Sequence, residues 1–254
     1  MDWMQAIILG FIQGMTEFLP ISSTGHLYIG RMLVGLQEAG LFLDTMLHIG
    51  TFLALIVFYK EVLFSIVRNP FSKLTFLLII GTIPAVIVGL LFSDFFDEIS
   101  KTGETIGWEF LMTGAFLWFA DSAKNGSKRL EHISWLDSFI IGCFQALAIF
   151  PAASRSGLTI AGALFRKIEK ETAAYFSFLL SIPAIFGAIT IQSLELFNGH
   201  VQQISFMSLF FATLSSAIFG YIAVKWMIAF VKKYSLKIFS LYVWGLGILL
   251  LLFQ

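Results

Sequence analysis

Charge is what this sequence has least of. Only 13% of its 254 residues are Asp, Glu, Lys or Arg, and sixteen acids balance sixteen bases. A soluble domain carries about 25% charged residues, so this surface is built for lipid rather than water. Zero net charge gives no basic footprint, and nucleic acid is not an expected partner. Cysteine occurs once, at Cys143, which excludes an internal disulfide and a thiolate metal cluster. Period-two alternation is absent as well; segments of about ten alternating residues would mark a membrane β-barrel. The start, Met1-Asp2-Trp3-Met4, has no basic stretch and no cleavage site, so the first apolar segment is expected in the mature protein rather than as a signal peptide.

What is present is apolar: 58% of the residues are hydrophobic. Apolar runs of roughly 17 to 25 residues alternate with short polar loops, the length needed to cross the ~30 Å hydrocarbon core as helices. Full runs fall at about 41–59, 74–92, 107–120, 172–192, 205–231 and 238–253. Two stretches differ. Residues 3–19 and 22–36 are short and separated by Pro20; residues 135–150 and 154–165 are short and separated by Pro151. Each reads as a helical hairpin that enters the membrane and turns back, an arrangement tolerated where protein or a water-filled cavity surrounds the turn. Lys and Arg concentrate in loops 60–73, 122–131, 166–170 and 232–237, which the positive-inside rule sends to the cytoplasm. Loops 94–106 and 193–204 then lie outside. The resulting fold class is an all-α integral membrane protein with an inverted-topology repeat, each half one re-entrant hairpin plus three transmembrane helices. The chain 1–254 is one membrane domain, with repeats at about 1–121 and 135–254, multi-pass in the plasma membrane. Gln13-x-x-x-Glu17-Phe18-Leu-Pro20-x-Ser22-Ser23-x-Gly25 lines up with Gln145-x-x-x-Ile149-Phe150-Pro151-x-x-Ser154-Arg155-Ser156-Gly157, allowing one-residue slips at the proline. Inverted repeats with broken helices are a common way to build a site near the midplane.

The chemistry gathers at the hairpin tips. Gln13 and Glu17 are four apart on one helix face. A carboxylate at membrane depth costs a few kcal/mol and is a functional candidate; the bland alternative is a cap or an ion pair with Arg155. After Pro20, Ser22 or Ser23 can cap the next helix, whose free N–H groups form an anion site. His26 is three residues from Ser23 and four from Ser22, so either serine is a candidate nucleophile with an imidazole base. Ser154-Arg155-Ser156-Gly157-x-Thr159 repeats the capped start and adds an arginine, which with its hydroxyls reads as an oxyanion or phosphate cradle. Asp44 and His48, four apart at the start of a run, are candidates to stand behind the site. Pro84 and Pro183 read as kinks, Thr82 and Ser181 as helix-packing groups, and the 29 phenylalanines as lipid-facing bulk. His132 and His200 lie in loops and are assigned no role.

Gln13-Gly-Met-Thr-Glu17, Pro20-Ile-Ser-Ser-Thr-Gly-His26 and Pro151-Ala-Ala-Ser-Arg-Ser-Gly-Leu-Thr159 resemble the signatures of the bacterial undecaprenyl pyrophosphate phosphatases, the bacitracin-resistance family. Phe176-Ser-Phe-Leu-Leu-Ser-Ile-Pro183 and Gly81-Thr-Ile-Pro84 are similar too, so the resemblance covers nearly the whole chain. Gln13 replaces a glutamate often found there. Ala152 stands where the family usually has glycine, which bears on how closely backbone and diphosphate approach at that turn. The resemblance implies hydrolysis of a polyprenyl diphosphate to the monophosphate, recycling the lipid carrier of cell-wall synthesis and conferring bacitracin resistance. It implies a divalent cation, magnesium or calcium, for which Glu17 is the candidate ligand. In the mechanism it suggests, Ser23 attacks the terminal phosphorus, His26 and Glu17 move the proton, and Arg155, Ser154, Ser156 and Thr159 hold the diphosphate. Gln13, Ser22 and Thr24 are further candidates for substrate binding. Attack by His26, or by a water that Glu17 activates, stays open. The expected partners are the polyprenyl diphosphate lipid and the bilayer, with a homodimer kept as a candidate assembly. The rival reading is a polyprenyl-phosphate transporter or flippase using the same arginine; a carrier needs Arg155 but not a nucleophile beside a base.

Overall fold

The computed structural model describes residues 1–36, 41–92, 95–96, 99, 103–123, 126–198 and 204–253, apart from the side chains of 195–198. Asp94, Asp97, Glu98 and Lys101 of the acidic loop, Lys124 and His200 lie outside the described residues.

Asp2 starts α1 (Trp3–Phe18) with a capping box: its carboxylate accepts from the Gln5 N–H at 2.7 Å, and Gln5 Oε1 accepts from the Asp2 N–H at 2.9 Å. Pro20 then breaks the helix, because a proline cannot continue the hydrogen-bond ladder. Ser22 caps the return helix α2 (Ser23–Leu33), accepting from the Gly25 N–H at 3.3 Å. Ser22 takes φ 71°, a left-handed conformation that costs a non-glycine residue on the order of 1 kcal/mol or more. Between the hairpins run α3 (Leu41–Phe58), α4 (Lys60–Arg68), α5 (Lys73–Leu91) and α6 (Ile106–Ser122). The second hairpin repeats the construction of the first. Ser134 and Asp137 form the capping box of α7 (Trp135–Leu147), the chain turns at Pro151, and Ser154 caps α8 (Arg155–Phe165), accepting from the Gly157 N–H at 3.1 Å. Three long helices follow: α9 (Lys170–Asn198), α10 (Phe206–Val231) and α11 (Lys237–Phe253). Among the described residues the only β-bridge is isolated, Lys128 to Ile168.

Among the described residues, four helices are long and apolar enough to cross a membrane: α3, α5, α9 and α10. Two further expected spans, α6 and α11, have 17 residues each, the short end of the spanning range; they pack against each other. The outward surface is apolar, with Leu90, Leu91, Phe186 and Leu252 all more than half exposed. Trp108 and Tyr234 stand exposed near helix ends, where aromatic side chains suit a membrane–water boundary. The chain is thus an integral membrane protein.

Residues 60–73, expected as a loop from their charges, contain α4. Val62, Leu63 and Ile66 pack on the core while Phe64 and Val67 stay exposed, and the Arg68 guanidinium lies 4.2 Å from the Phe64 ring centroid. Charge marked one side of this segment, and the apolar spacing on the other makes it a helix.

α10 packs on α1 and α3, and α5 on α7. Glycine allows the close approach in both places. A Cβ on Gly14 would sit 2.7 Å from the Ser216 carbonyl oxygen, and one on Gly142 would sit 2.5 Å from that of Gly81. Small residues at such crossings let van der Waals packing replace the hydrophobic effect, which is absent between helices in lipid. The main core, including Phe18, Leu117, Ile160 and Phe178, surrounds the two hairpin tips.

Away from the tips, two buried carboxylates tie loops together. Asp137, fully buried, accepts from Lys128 Nζ at 3.0 Å and from Arg166 Nε at 2.7 Å. Asp121 pairs with Lys170 Nζ at 2.5 Å and accepts from the Leu236 N–H at 3.1 Å. The bases that read as topology markers in the sequence are also structural clasps.

Candidate active site

The two hairpins end at one place. α1 carries Gln13 and Glu17, one turn apart, to its tip, and Arg155, the first residue of α8, reaches across to ion-pair with Glu17 Oε1. Glu17 Oε2 accepts from Gln13 Nε2 at 2.9 Å and from Ser23 Oγ at 2.6 Å. Three donors therefore share one carboxylate whose side chain is 5% exposed, against 18% for Arg155. A charge this deep persists only when paired and hydrogen-bonded. A second bond joins the tips: Ser156 Oγ donates to the Leu19 carbonyl at 2.8 Å.

Ser23 opens α2, where first-turn N–H groups have no partner within the helix. Sequence spacing offered His26 as the base for Ser22 or Ser23, and the structure arranges them otherwise. His26 Nδ1 lies 2.7 Å from the Ser22 carbonyl oxygen and Nε2 lies 2.8 Å from Tyr242 OH on α11. A carbonyl only accepts, so Nδ1 carries the proton and Nε2 accepts from the tyrosine. The group that accepts from Ser23 is Glu17. Residues three apart share a helix face, but that face does not dictate which acceptor lies nearest, and here the local carbonyl takes the imidazole.

The remaining candidates divide. Ser22 is engaged as a cap, and Thr24 is exposed on the first turn of α2. The Ser154 N–H donates to Thr113 Oγ1 at 3.2 Å, and its hydroxyl meets Ser156 Oγ at 3.3 Å. Thr159, grouped with the diphosphate-holding residues from sequence, is 1% exposed; its hydroxyl donates to the Arg155 carbonyl at 2.7 Å and meets Ser177 Oγ at 2.5 Å, tying α8 to α9. Four residues on from Arg155 in a helix, it follows the backbone rather than the open tip. Asp44 pairs with Arg31 at the end of α2, and the Asp44 carbonyl oxygen lies 2.8 Å from His48 Nδ1.

Sequence reasoning missed Glu109 and Tyr242. Glu109, 4% exposed on α6, accepts from Thr105 Oγ1 at 2.6 Å and from the Ala152 N–H. It thus holds the second hairpin turn at the residue that stands where glycine was expected. An acid inside the apolar run 107–120 was the available signal. Tyr242 gave none, being one aromatic on a lipid-facing helix.

Among the buried polar atoms without a protein hydrogen-bond partner are Arg155 Nη1, Gln13 Oε1 and, on the second hairpin, Gln145 Oε1. The first is a donor that a phosphate oxygen can accept. A ready-made divalent-cation site does not form: no three His, Cys, Asp or Glu side chains converge among the described residues, and both Glu17 oxygens are engaged. What the arrangement offers is a hydroxyl on a carboxylate, beside an arginine with a spare donor, between two helix N-termini inside a membrane fold.

That combination defines a class, membrane proteins that handle an anionic head group on a lipid. Comparison with known proteins narrows it. Residues 6–249 match the family model described as Bacitracin resistance protein BacA. The chain is 65% identical over 254 residues to Undecaprenyl-diphosphatase 4 of Bacillus cereus (strain ZK / E33L), covering all of this chain and 98% of that one. It is 43% identical over 256 residues to the undecaprenyl-diphosphatase of Carboxydothermus hydrogenoformans, covering all of this chain and 98% of that one. The chain belongs to the bacitracin resistance protein BacA family.

Proposed function

We propose that this protein is a phosphatase of the plasma membrane that hydrolyses undecaprenyl diphosphate to the monophosphate and phosphate, recycling a lipid carrier for cell-wall synthesis and conferring bacitracin resistance. The observation that carries it is the 2.6 Å hydrogen bond from Ser23 Oγ to a Glu17 carboxylate that also pairs with Arg155. The names of the relatives support the substrate. A lipid carrier protein has use for Arg155 but none for a hydroxyl seated on a buried base, so the transport reading is not favoured.

In the reaction we infer, Arg155 Nη1 and the N–H groups opening α2 and α8 bind the diphosphate. Ser23 Oγ attacks the terminal phosphorus and passes its proton to Glu17. The bond from that phosphorus to the bridging oxygen breaks, and polyprenyl monophosphate leaves. Glu17 gives that proton to the departing monophosphate oxygen and is again a carboxylate. It then takes a proton from water, whose oxygen attacks the phosphorus, and returns it to Ser23 Oγ as the Ser23 Oγ–P bond breaks, releasing inorganic phosphate. His26, its Nε2 on Tyr242, orients the start of α2. The magnesium or calcium implied by the family resemblance is proposed to arrive on the diphosphate oxygens, since the protein supplies one already engaged carboxylate there.

The domain reading is likewise ours: residues 1–254 as one domain, with inverted repeats at about 1–121 and 135–254. Supporting it, Ser22 and Ser154 cap their helices alike, α1 on α10 mirrors α7 on α5, and the α3–α9 and α6–α11 contacts each join corresponding spans.

The test is phosphate release from undecaprenyl diphosphate in detergent, with and without chelator, for wild type and Arg155→Ala. Chelator-sensitive release that falls at least about a hundredfold in the mutant is the expected result, the scale of removing one transition-state charge donor. No release from folded wild-type protein would refute the phosphatase reading.

A further inference from the structure

The substrate proposed above has a long apolar tail, and the hairpin tips lie inside the fold, so the tail must leave between two helices. Most flanks are shut. α3 and α9 are joined near both ends, by Tyr59 OH donating to the Tyr175 carbonyl at 2.9 Å and Thr45 Oγ1 donating to Gln192 Oε1 at 3.2 Å. α10 is in backbone contact with α1 at Gly14. α8 is buried from Ser156 to Leu164. α6 and α11 meet at Gly107 and Gly247, and Trp244 Nε1 donates to the Leu111 carbonyl at 3.0 Å.

α2 is the exception. It matches α8 in motif, yet only Gly25, Leu27 and Gly30 are buried, and its extensive packing is on α1 alone. Toward α11 it is held by one pair, His26 and Tyr242, whose rings stack 5.6 Å apart at 18° and share the 2.8 Å hydrogen bond. One turn beyond Tyr242 the wall of α11 is notched: Gly245 is exposed, and a Cβ there would meet nothing within 4 Å. Two turns on from the contact both faces are exposed and apolar, with Leu33 on α2, seven residues from His26, and Leu249 on α11, seven residues from Tyr242.

We propose that the seam between α2 and α11 is the lateral portal through which the polyprenyl tail reaches from the bilayer to the site, with the His26–Tyr242 contact as its latch and Gly245 as its clearance. The proposal rests on the function proposed above. Ser23 and His26 occupy the first turn of α2, so a head group at Arg155 and Ser23 places the start of the tail at this seam. The rival seat is a groove of about 610 Å³ walled by α3, α4, α5 and α9, with Phe52, Ile83 and Phe186 among its lining; it shares no residue with the hairpin tips.

Gly245→Trp puts an indole into the clearance from a position where its Cβ meets nothing within 4 Å. It is assayed in detergent for phosphate release from undecaprenyl diphosphate and from a short, water-soluble prenyl diphosphate, which can enter without threading a long tail. The expected result is a KM for the long substrate raised about tenfold or more, with kcat/KM for the short one within about twofold of wild type, the pattern of lost binding rather than lost chemistry. Unchanged kinetics for both substrates would overturn the portal, as would an equal loss for both. A long-chain defect from Ile83→Trp with none from Gly245→Trp would move the tail to the groove. Absence of release from either substrate in wild-type protein would instead refute the functional reading, and the portal with it.

Discussion

Replacing Glu17 by glutamine separates the two jobs assigned to its carboxylate. The side chain keeps its size, loses its charge and loses most of its basicity. As proton acceptor for Ser23, its removal is expected to lower turnover by about 10² to 10⁴, the range for general-base catalysis, or roughly 3 to 5.5 kcal/mol at about 1.4 kcal/mol per decade. As counter-ion, its removal leaves Arg155 unpaired. With side-chain exposures of 5% and 18% the pair is nearly dry, so the cost to stability falls near the 3 to 5 kcal/mol of a broken buried pair, about 3 because Arg155 keeps some solvent. Glu17→Gln with Arg155→Gln removes both charges and should recover much of that stability while staying inactive. The assays are phosphate release and thermal unfolding in the same detergent. Turnover by Glu17→Gln within about threefold of wild type would refute the carboxylate as proton acceptor, since an amide cannot take a proton at neutral pH. Turnover lost only in proportion to folded protein would reduce Glu17 to a structural ion-pair partner.

Two further outcomes follow from packing. Asp137→Ala strands Lys128 and Arg166, each about one-third exposed, so thermal unfolding should show a loss near the low end of a broken buried pair, about 3 kcal/mol; an unchanged melting temperature would contradict the clasp. Gly14→Val drives side-chain atoms into the backbone of α10 around Ser216 and Gly220 and is expected to cost more than the 1 to 3 kcal/mol of ordinary overpacking, because backbone cannot yield. Gly187→Ala, where a Cβ meets nothing within 4 Å, is the matched control and should stabilise its helix by about 0.5 to 1 kcal/mol.

The sequence made the membrane class and both hairpin tips legible for a physical reason: prolines and serine caps act locally, and a carboxylate in an apolar run stands out. Glu17 with Gln13, and Arg155 as its partner from the other hairpin, followed from spacing and charge. The base on Ser23 did not. His26 and Glu17 both lie within reach in sequence, and the choice between them depends on where the Ser22 carbonyl and Tyr242 fall in space, 216 residues away in the second case. The surroundings of Thr159 were hidden for the same reason, since the hydroxyl it meets, Ser177, belongs to another helix. α4 was hidden because its charges were weighed for topology before its apolar spacing was weighed for structure.

The ion pair at the tips also sets a problem of timing. Arg155 lies 138 residues after Glu17, and at about 5 to 20 residues per second a ribosome needs roughly 7 to 28 s to make the interval. For that time the first hairpin exists without its cation. Gln13 and Ser23, the two other donors on Glu17, both belong to that hairpin, so the carboxylate emerges from the ribosome with partners of its own and waits for the arginine already solvated by its neighbours.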